Sequence, residues 1–333
     1  MSVVGSIGAV RAWLDRAGRK VARDDVLALL TPWLVARFAW WVFGPRQHPA
    51  ADDPAARDPE LVAVFVDLMR AFGERWFRLE VRGVENVPAT GPALLVGNHN
   101  GGLQPFDTLF TMVAICDRFG PERALYMLGH DFIFDDVRMR PYAQGLGGLR
   151  AGHGGAHKAL RLGGLVIVYP GSDLDTFRPW RDRGKIVLGG RKGFVELALR
   201  ERVPIVPVVS VGTHEQFIVL TRGDLLAKII PMHRLARVDV LPIVLSVPWG
   251  LTFGFVPYLP LPAQTTLSFG PPIAWPELPP SAADDPVVVE RCYREVERAM
   301  QERLSGLMKG RRAILGPRKT RKEESERGTQ SGR

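Results

Sequence analysis

The chain has 333 residues, 46% of them hydrophobic, so it is long enough to bury the core of one large domain or two small ones. Its formal net charge is +9, and residues 309–333 supply +6 of that charge through nine Lys or Arg and three Glu. Because Gly and Ser interrupt this end and no nucleic-acid-binding motif accompanies it, we expect a flexible basic tail and no nucleic-acid partner.

The two cysteines, Cys116 and Cys292, lie in separate apolar helical patterns. This placement excludes a disulfide framework and a cysteine-based metal site. The first twenty residues contain four basic side chains and no apolar core of a secretory signal. Both features favour the reducing, cytoplasmic side of a membrane.

An apolar segment near the N-terminus, residues 26–43, contains three Trp and Arg37 as its single basic residue. Pro32 and Arg37 argue against a helix that crosses the bilayer, although the length is near the lower limit for one. Tryptophan and flanking arginines are typical of a helix that lies in the membrane interface. We therefore predict an N-terminal helical membrane anchor over 1–46; a core helix and a spanning helix are the alternatives.

A polar, Pro-rich stretch, residues 47–58, reads as a linker, and the catalytic domain is expected over 59–308. Within it, short apolar runs alternate with helical patterns, which predicts an α/β fold with a mixed, largely buried β-sheet flanked by helices. Helices are expected over 59–75, 105–119, 157–162 and 193–200 and from Asp131 and Pro286. Strands are expected over 93–96, 125–128, 165–169, 205–211, 238–244 and 265–269.

Residues 245–263 are apolar, aromatic and rich in Pro and Gly, which excludes a regular helix. Two interpretations stay open for this stretch: a buried loop, or a second patch that contacts the membrane.

The strongest chemical signal lies where the strand at 93–96 ends. His99 follows this strand directly, a glycine-rich turn comes next, and Asp107 falls in the first turn of the following helix. Open α/β sheets bind ligands at the carboxyl ends of their strands. A carboxylate that holds one imidazole nitrogen leaves the other free to accept a proton, so the pair is a candidate general base for a hydroxyl group.

Two further segments place polar residues after a strand or before a helix. Tyr169-Pro170-Gly171-Ser172 ends the strand at 165–169 and leads to Asp173, Asp175 and Arg178. Arg191 and Lys192 precede the helix at 193–200. The basic side chains are candidates for binding an anionic donor or acceptor.

In combination, the three segments NHNGGLQPFD, VYPGSDLDTFRPW and VPIVPVVSVG resemble the ordered motifs of the glycerolipid acyltransferase superfamily, whose members include lysophosphatidic acid acyltransferases. The resemblance covers about residues 75–275 and is nearer to the diacylglycerol acyltransferase-like branch. Two departures stand out: seven residues separate His99 from Asp107 where the family has four, and the Glu and Arg of the third motif are absent as such.

The resemblance implies a glycerol-3-phosphate acyltransferase-like sheet and transfer of an acyl group from acyl-CoA or an acyl carrier protein to a lipid hydroxyl, at a membrane and without a metal or other cofactor. His99 would be the general base and Asp107 would orient it. Expected substrate-binding residues are Asn98, Gly101, Gly102, Arg150, Gly171, Ser172, Arg178, Arg191 and Lys192. The acceptor stays open: a lysophospholipid, glycerol phosphate, diacylglycerol or another alcohol.

Two other functions are possible on the sequence. A lipid hydrolase would use Ser172 as a nucleophile, although the chain lacks the G-x-S-x-G pattern of such enzymes. An inactive lipid-binding module would retain the fold without the chemistry. A metal site at His153 and His157 is not expected, because no third ligand completes the pattern.

Overall fold

The computed structural model describes residues 53–99, 102, 104–129, 131–135, 139–229, 240–254 and 257–317. The strands are β1 Glu80–Arg82, β2 Ala93–Gly97, β3 Leu125–Gly129, β4 Gly148–Arg150, β5 Leu165–Val168, β6 Ile205–Val211, β7 Ile218–Thr221, β8 Ile243–Ser246, β9 Gly250–Phe253, β10 Thr266–Phe269, β11 Arg311–Arg312 and β12 Gly316–Pro317. The helices are α1 Pro59–Phe77, α2 Phe106–Phe119, α3 Asp131–Asp135, α4 Arg140–Gly145, α5 His153–Arg161, α6 Ser172–Thr176, α7 Gly193–Glu201, α8 Asp224–Ile229 and α9 Pro286–Met308.

Seven strands form the main sheet in the order β1-β10-β6-β2-β5-β3-β4. From β6 to β4 all neighbours are parallel, whereas β10 runs antiparallel to β6 and parallel to β1. Every residue of β2 and of β6 is buried, as expected for strands covered on both faces. The carboxyl ends of β2, β5 and β6 therefore meet at one edge, in the middle of the sheet.

Alternate side chains of the central strands enter two separate hydrophobic clusters, because successive strand residues point to opposite faces. Leu94 and Val96 pack with residues of α5, α7 and α9 on one face. Ala93 and Leu95 pack with residues of α1 and α2 on the other. The result is a three-layer α/β/α arrangement.

The two longest helices begin with the same local chemistry. Asp58 accepts hydrogen bonds from the backbone N–H groups of Glu60 and Leu61, at 2.9 and 3.2 Å, and Pro59 occupies the first helical position. Asp285 and Pro286 repeat the pattern at α9. An acidic cap followed by proline satisfies the free N–H groups of a helix start and needs no N–H at the proline itself.

The predicted fold class, a mixed and largely buried sheet flanked by helices, is confirmed. The anchor predicted over 1–46 lies outside the described residues. Within the described ranges, no helix is both long and apolar enough to cross a bilayer.

The strand predicted over 238–244 is placed differently, since β8 begins at Ile243. Pro242 has no N–H to pair, and Leu241 instead bonds the carbonyl of Arg222 at 2.9 Å. A second small sheet, β7-β8-β9, thus forms partly within the stretch 245–263. The strands β1, β4 and β9 are missing from the sequence prediction because EVR, GLR and GLTF carry no apolar run.

Both ends of the predicted domain are longer in the structure than in the sequence prediction. Pro54, inside the predicted linker, is buried in a short 3-10 helix, and the N–H of Asp58 bonds the carbonyl of Gly145 at 2.8 Å. At the other end, residues 311–317 form the β11–β12 hairpin, not a free tail.

Arg311 anchors this hairpin to the body of the domain. Its side chain is 2% exposed and lies 3.0 Å from the equally buried Glu215 carboxylate. The same carboxylate accepts the backbone N–H of Ile314 at 2.7 Å. A lysine- and arginine-rich sequence predicts solvated charge, and the prediction fails here because Glu215 lies far away in the chain.

We expect Arg311→Ala to lower the free energy of unfolding by about 3 kcal/mol, because it leaves the Glu215 carboxylate buried without its main partner. The exposed neighbour Arg312 is the matched control, and Arg312→Ala should change stability by less than about 0.5 kcal/mol. Urea unfolding of both variants measures the difference. Equal stability of the two variants would contradict a structural role for the hairpin.

Candidate active site

The carboxyl end of β2 is fixed to the neighbouring strand β6 by the side chain of Asn98. Its amide N–H donates to the carbonyl of Ser210 at 3.1 Å, and its oxygen accepts the Ser210 N–H at 2.8 Å. Asn98 is 1% exposed. Asn98 therefore holds the strand end from a buried position, and its role in substrate binding stays a prediction.

His99 and Asp107 are brought together by the loop between β2 and α2. The imidazole Nδ1 lies 2.9 Å from a carboxylate oxygen of Asp107. Asp107 is 1% exposed, and its other oxygen accepts the backbone N–H of Thr108 at 2.7 Å. The seven-residue gap therefore still gives a direct hydrogen bond. The His99 side chain is 21% exposed, so the imidazole lies at the edge of the buried site.

Asp175 forms a second contact to His99, from α6 after β5. Its carboxylate accepts the backbone N–H of His99 at 2.6 Å and also pairs with Arg178. Both side chains are almost fully buried. Arg178, predicted to bind an anionic substrate, instead serves as the partner of this buried carboxylate.

Opposing effects set the charge states of these groups. Burial lowers the pKa of His99, but the charge and hydrogen bond of Asp107, with a smaller contribution from Asp175, raise it above its usual 6.5. Burial raises the pKa of Asp175 to about 6, against the opposite effects of Arg178 and His99. By making the imidazole of His99 more basic, the Asp107 carboxylate favours its use as a proton acceptor.

Tyr169, the last residue before the turn after β5, packs beside the imidazole. The ring centroids of Tyr169 and His99 are 4.6 Å apart. Any Cβ at Gly97 would overlap the Tyr169 ring, so glycine is required there. Burial, reinforced by the Asp107 charge, raises the pKa of Tyr169 well above its usual value, so the hydroxyl stays protonated.

Gly102 and Gln104 contact residues that pack beside the small sheet. A Cβ at Gly102, where φ is +66°, would lie 2.7 Å from the Phe217 ring and 2.8 Å from the Tyr258 hydroxyl. The Gln104 amide donates to the carbonyl of Tyr258 at 2.9 Å. Gly102 thus permits close packing, while Gly101 lies outside the described residues.

Gly171 and Ser172 shape the turn that carries Asp175. A Cβ at Gly171 would overlap the carbonyl oxygen of Val187 and the Cβ of Asp175. Ser172 has a positive φ of 47°, an uncommon conformation for a residue other than glycine. The predicted motif therefore fixes backbone shape beside His99.

The three remaining basic candidates have protein partners. Arg191 bonds the carbonyl of Pro170 at 3.0 Å and thereby supports the turn after β5. Lys192 lies 2.7 Å from Glu290 on α9. Arg150 pairs with Asp135 at 3.0 Å on β4, three strand positions from β2 and so about 14 Å away. A role for Lys192 or Arg150 in binding an anionic substrate stays a prediction.

Asp175 and Tyr169 are neighbours of His99 that the sequence did not predict. For His214 the sequence left two interpretations open: a residue at the border of the site, or a residue that caps a helix or loop. His214, buried after β6, bonds the carbonyl of Arg178 at 2.6 Å. Burial, followed by the nearby Arg178 charge, lowers its pKa to about 3, so it is neutral. The signal for all three was their position after the ends of β5 and β6. No group of three His, Cys, Asp or Glu in the described part of the chain converges as a metal site requires.

Comparison with known proteins gives one family. A family model described as Acyltransferase matches residues 78–211, the part of the chain from β1 to the end of β6. An uncharacterized protein of Mycobacterium tuberculosis is 36% identical over 314 residues, which are 93% of this chain and 85% of the relative. A similar protein of Mycobacterium leprae is 35% identical over 76% of this chain and 66% of its own length.

The names of two more distant relatives describe a function. A human protein described as a DGAT1/2-independent enzyme synthesizing storage lipids is 30% identical over 145 residues, 43% of this chain and 42% of that protein. Among solved structures, the 1-acyl-sn-glycerophosphate (LPA) acyltransferase PlsC of Thermotoga maritima is similar with a TM-score of 0.46 and 18% identity. The similarity covers 76% of this chain and 83% of that chain.

We expect Gly171→Ala to lower the free energy of unfolding by about 2 kcal/mol or more, because the new methyl group displaces the turn that holds Asp175. Gly154 on α5 is the control, since a Cβ there meets nothing within 4 Å. Gly154→Ala should be neutral or stabilising by about 0.5–1 kcal/mol. Thermal and urea unfolding compare the two, and a neutral Gly171→Ala would contradict the packing described.

Proposed function

Because this chain belongs to the glycerolipid acyltransferase superfamily, we propose that it transfers a fatty acyl group from an acyl thioester to a hydroxyl group of a glycerolipid. The family match confirms the resemblance that the three motifs predict, and the protein is an acyltransferase. The donor, the acceptor and the mechanism are proposals. The observation that carries the mechanism is the 2.9 Å contact between His99 Nδ1 and Asp107.

The hydrogen bond to Asp107 fixes the imidazole so that Nδ1 holds the proton and Nε2 is the acceptor. The acceptor hydroxyl gives its proton to Nε2 while its oxygen attacks the thioester carbonyl. The C–S bond then breaks, and the thiolate leaves with the proton from His99. No covalent acyl-enzyme is required, because the thioester is already activated.

The reaction is proposed to take place at a membrane surface on the cytoplasmic side, where lipid acceptors and soluble acyl-CoA or acyl carrier protein meet. The support is the chemistry of the substrates and the net charge of +9, which attracts anionic lipid surfaces. The human relative is described as an enzyme that synthesizes storage lipids, which favours a neutral acceptor such as diacylglycerol over glycerol phosphate. The pairing of Arg178 with Asp175 supports the same choice, since it occupies a candidate phosphate ligand.

A lipid hydrolase is the second candidate, and the positive φ of Ser172, at the turn between β5 and α6, favours it. Strained serines at a strand-to-helix turn are nucleophiles in α/β hydrolases. Ser172→Ala distinguishes the two functions: loss of fatty acid release would identify a hydrolase, whereas unchanged acyl transfer supports the acyltransferase mechanism.

We expect the full chain to label at least one lipid when it is incubated with radiolabelled acyl-CoA or acyl carrier protein. The acceptors to compare are a lysophospholipid, glycerol phosphate and diacylglycerol. His99→Ala should lower the rate about 10²- to 10⁴-fold, because it removes the general base. His157, which pairs with Glu201 away from the site, is the matched control. Absence of any labelled acceptor, or equal rates for His99→Ala and His157→Ala, would overturn the proposal.

The pH dependence follows from the raised pKa of His99. Neutral His99 is the active form, so kcat/KM should rise with pH through a value above 6.5. Asp107→Asn removes the charge that raises this pKa, so the acid limb should move to lower pH while the rate at the plateau falls. Measuring kcat/KM of the wild type and of Asp107→Asn from pH 5 to 9 detects the shift. An acid limb that stays in place would show that another group titrates.

A further inference from the structure

The small sheet β7-β8-β9 presents an unusually apolar outer surface. Eight of the fourteen exposed large hydrophobic residues in the described part of the chain lie between 220 and 253. We define the apolar face as Leu220, Leu245, Val247, Trp249, Leu251 and Phe253. We propose that this face docks onto a lipid bilayer.

The strand register places Leu245, Leu251 and Phe253 on one side of the sheet. Leu245 is paired with Leu251 and with Ile218, and Phe253 is paired with Ile243. Paired residues lie on the same side of a sheet, as do residues two apart in a strand, so all five side chains point to the outer side. Leu251 and Phe253 are 67% and 71% exposed. The opposite side of the sheet carries Val219 and Val244, which are buried. Antiparallel sheets that face water usually carry polar residues on the outer side, and this one does not.

Charge is absent from the three strands themselves. The sequences IVLT, IVLS and GLTF contain no Asp, Glu, Lys or Arg. Leu225 and Ile229 on the adjacent helix α8 are also exposed, at 72% and 68%. An exposed apolar patch of this kind marks a surface that contacts another apolar phase.

Trp249 lies in the turn between β8 and β9, at the margin of the apolar face. Its indole N–H bonds the carbonyl of Pro257, so its polar group is satisfied while the ring is 53% exposed. Tryptophan is enriched at the level of lipid headgroups, where one side of the ring is wet and the other apolar.

The inner side of the same sheet contacts the loop that follows His99. Phe217 and Tyr258, which pack beneath the sheet, are the residues closest to Gly102. A bilayer on the apolar face would therefore be separated from the catalytic loop by a layer about 10 Å thick. This inference rests on the proposed function for its purpose, since a lipid acceptor must reach His99 from the membrane.

The margin of the face favours a bilayer over a second copy of the chain. The turn Trp180–Asp182 contacts β7, and Arg181 in this turn is 83% exposed. Lys185, which pairs with Asp182, and Arg222, which pairs with Asp224, also lie near the face, so three basic and two acidic side chains leave a net positive charge at its margin. Two copies meeting through this face would bring like charges together, whereas an anionic lipid surface complements them.

The test uses the full chain and vesicles of phosphatidylcholine with phosphatidylglycerol, without acyl donor. The double variant Leu251→Glu/Phe253→Glu should lower vesicle binding in flotation at least tenfold. The matched control is Leu162→Glu/Val287→Glu, which changes two equally exposed apolar residues, 68% and 78%, outside the face. It should bind as the wild type does. Circular dichroism verifies that both variants fold.

A second measurement locates the contact even if residues 1–52 also bind lipid. A bimane fluorophore on Leu251→Cys should be quenched by vesicles that contain spin-labelled lipid, and one on Leu162→Cys should not. Wild-type protein carried through the same labelling corrects for Cys116 and Cys292. Absence of quenching at residue 251, or equal vesicle binding of both double variants, would overturn the proposal.

Light scattering without vesicles tests the rival occupant. A dimer that Leu251→Glu/Phe253→Glu dissociates would assign the face to a second copy and overturn the bilayer proposal. The catalytic His99→Ala variant should bind vesicles like the wild type. Failure of docking and failure of the proposed function are therefore seen in separate experiments.

Discussion

Parallel pairing of β2 with β5 on one side and β6 on the other is the constraint on which the site depends. Both faces of these strands are filled with apolar side chains, so the polar residues of each segment are confined to the ends. Parallel strands place those ends at one edge of the sheet. His99 and Asp175 are distant in sequence and meet there because they follow the ends of β2 and β5. His214, after β6, bonds the carbonyl of Arg178, the partner of Asp175.

The buried carboxylates then divide two tasks. Asp175 holds the backbone of His99, at 2.6 Å from its N–H, and is compensated by Arg178. Asp107 holds the imidazole and raises its pKa. One carboxylate thus positions the residue and the other sets its basicity. The arrangement carries a cost, because burying several charges is unfavourable unless each finds a partner. The partners found here explain why Arg178 is enclosed in the protein.

Much of this architecture follows from the sequence. The strands at 93–97 and 205–211 and the helices begun by Asp58 and Asp285 have local signals strong enough to place them. The roles of the basic residues do not follow from the sequence, because a sequence does not show whether an arginine faces a substrate or a buried acid. Arg178 and Arg311 both proved to have buried carboxylate partners, and the partner of Arg311 is 96 residues away. The role of the stretch 245–263 likewise depended on its pairing with β7.

Under the proposed function, the small sheet connects the catalytic site to a lipid substrate. Phe217 and Tyr258, which pack on its inner side, lie against Gly102, and its outer side is apolar. A lipid acceptor combines an apolar body with a reactive hydroxyl, and these two surfaces match its two parts. This correspondence explains why an exposed apolar face lies beside a buried, charged site.

The central claim is that His99 and Asp107 act as one unit in acyl transfer. A double-mutant cycle on kcat/KM, with His99→Ala, Asp107→Ala and both changes together, tests it most directly. If Asp107 acts through His99, the double variant should be no slower than His99→Ala alone, within about threefold, because residues that act as a unit are not additive. Losses that multiply in the double variant would show that the two residues act independently, and would contradict the proposed mechanism.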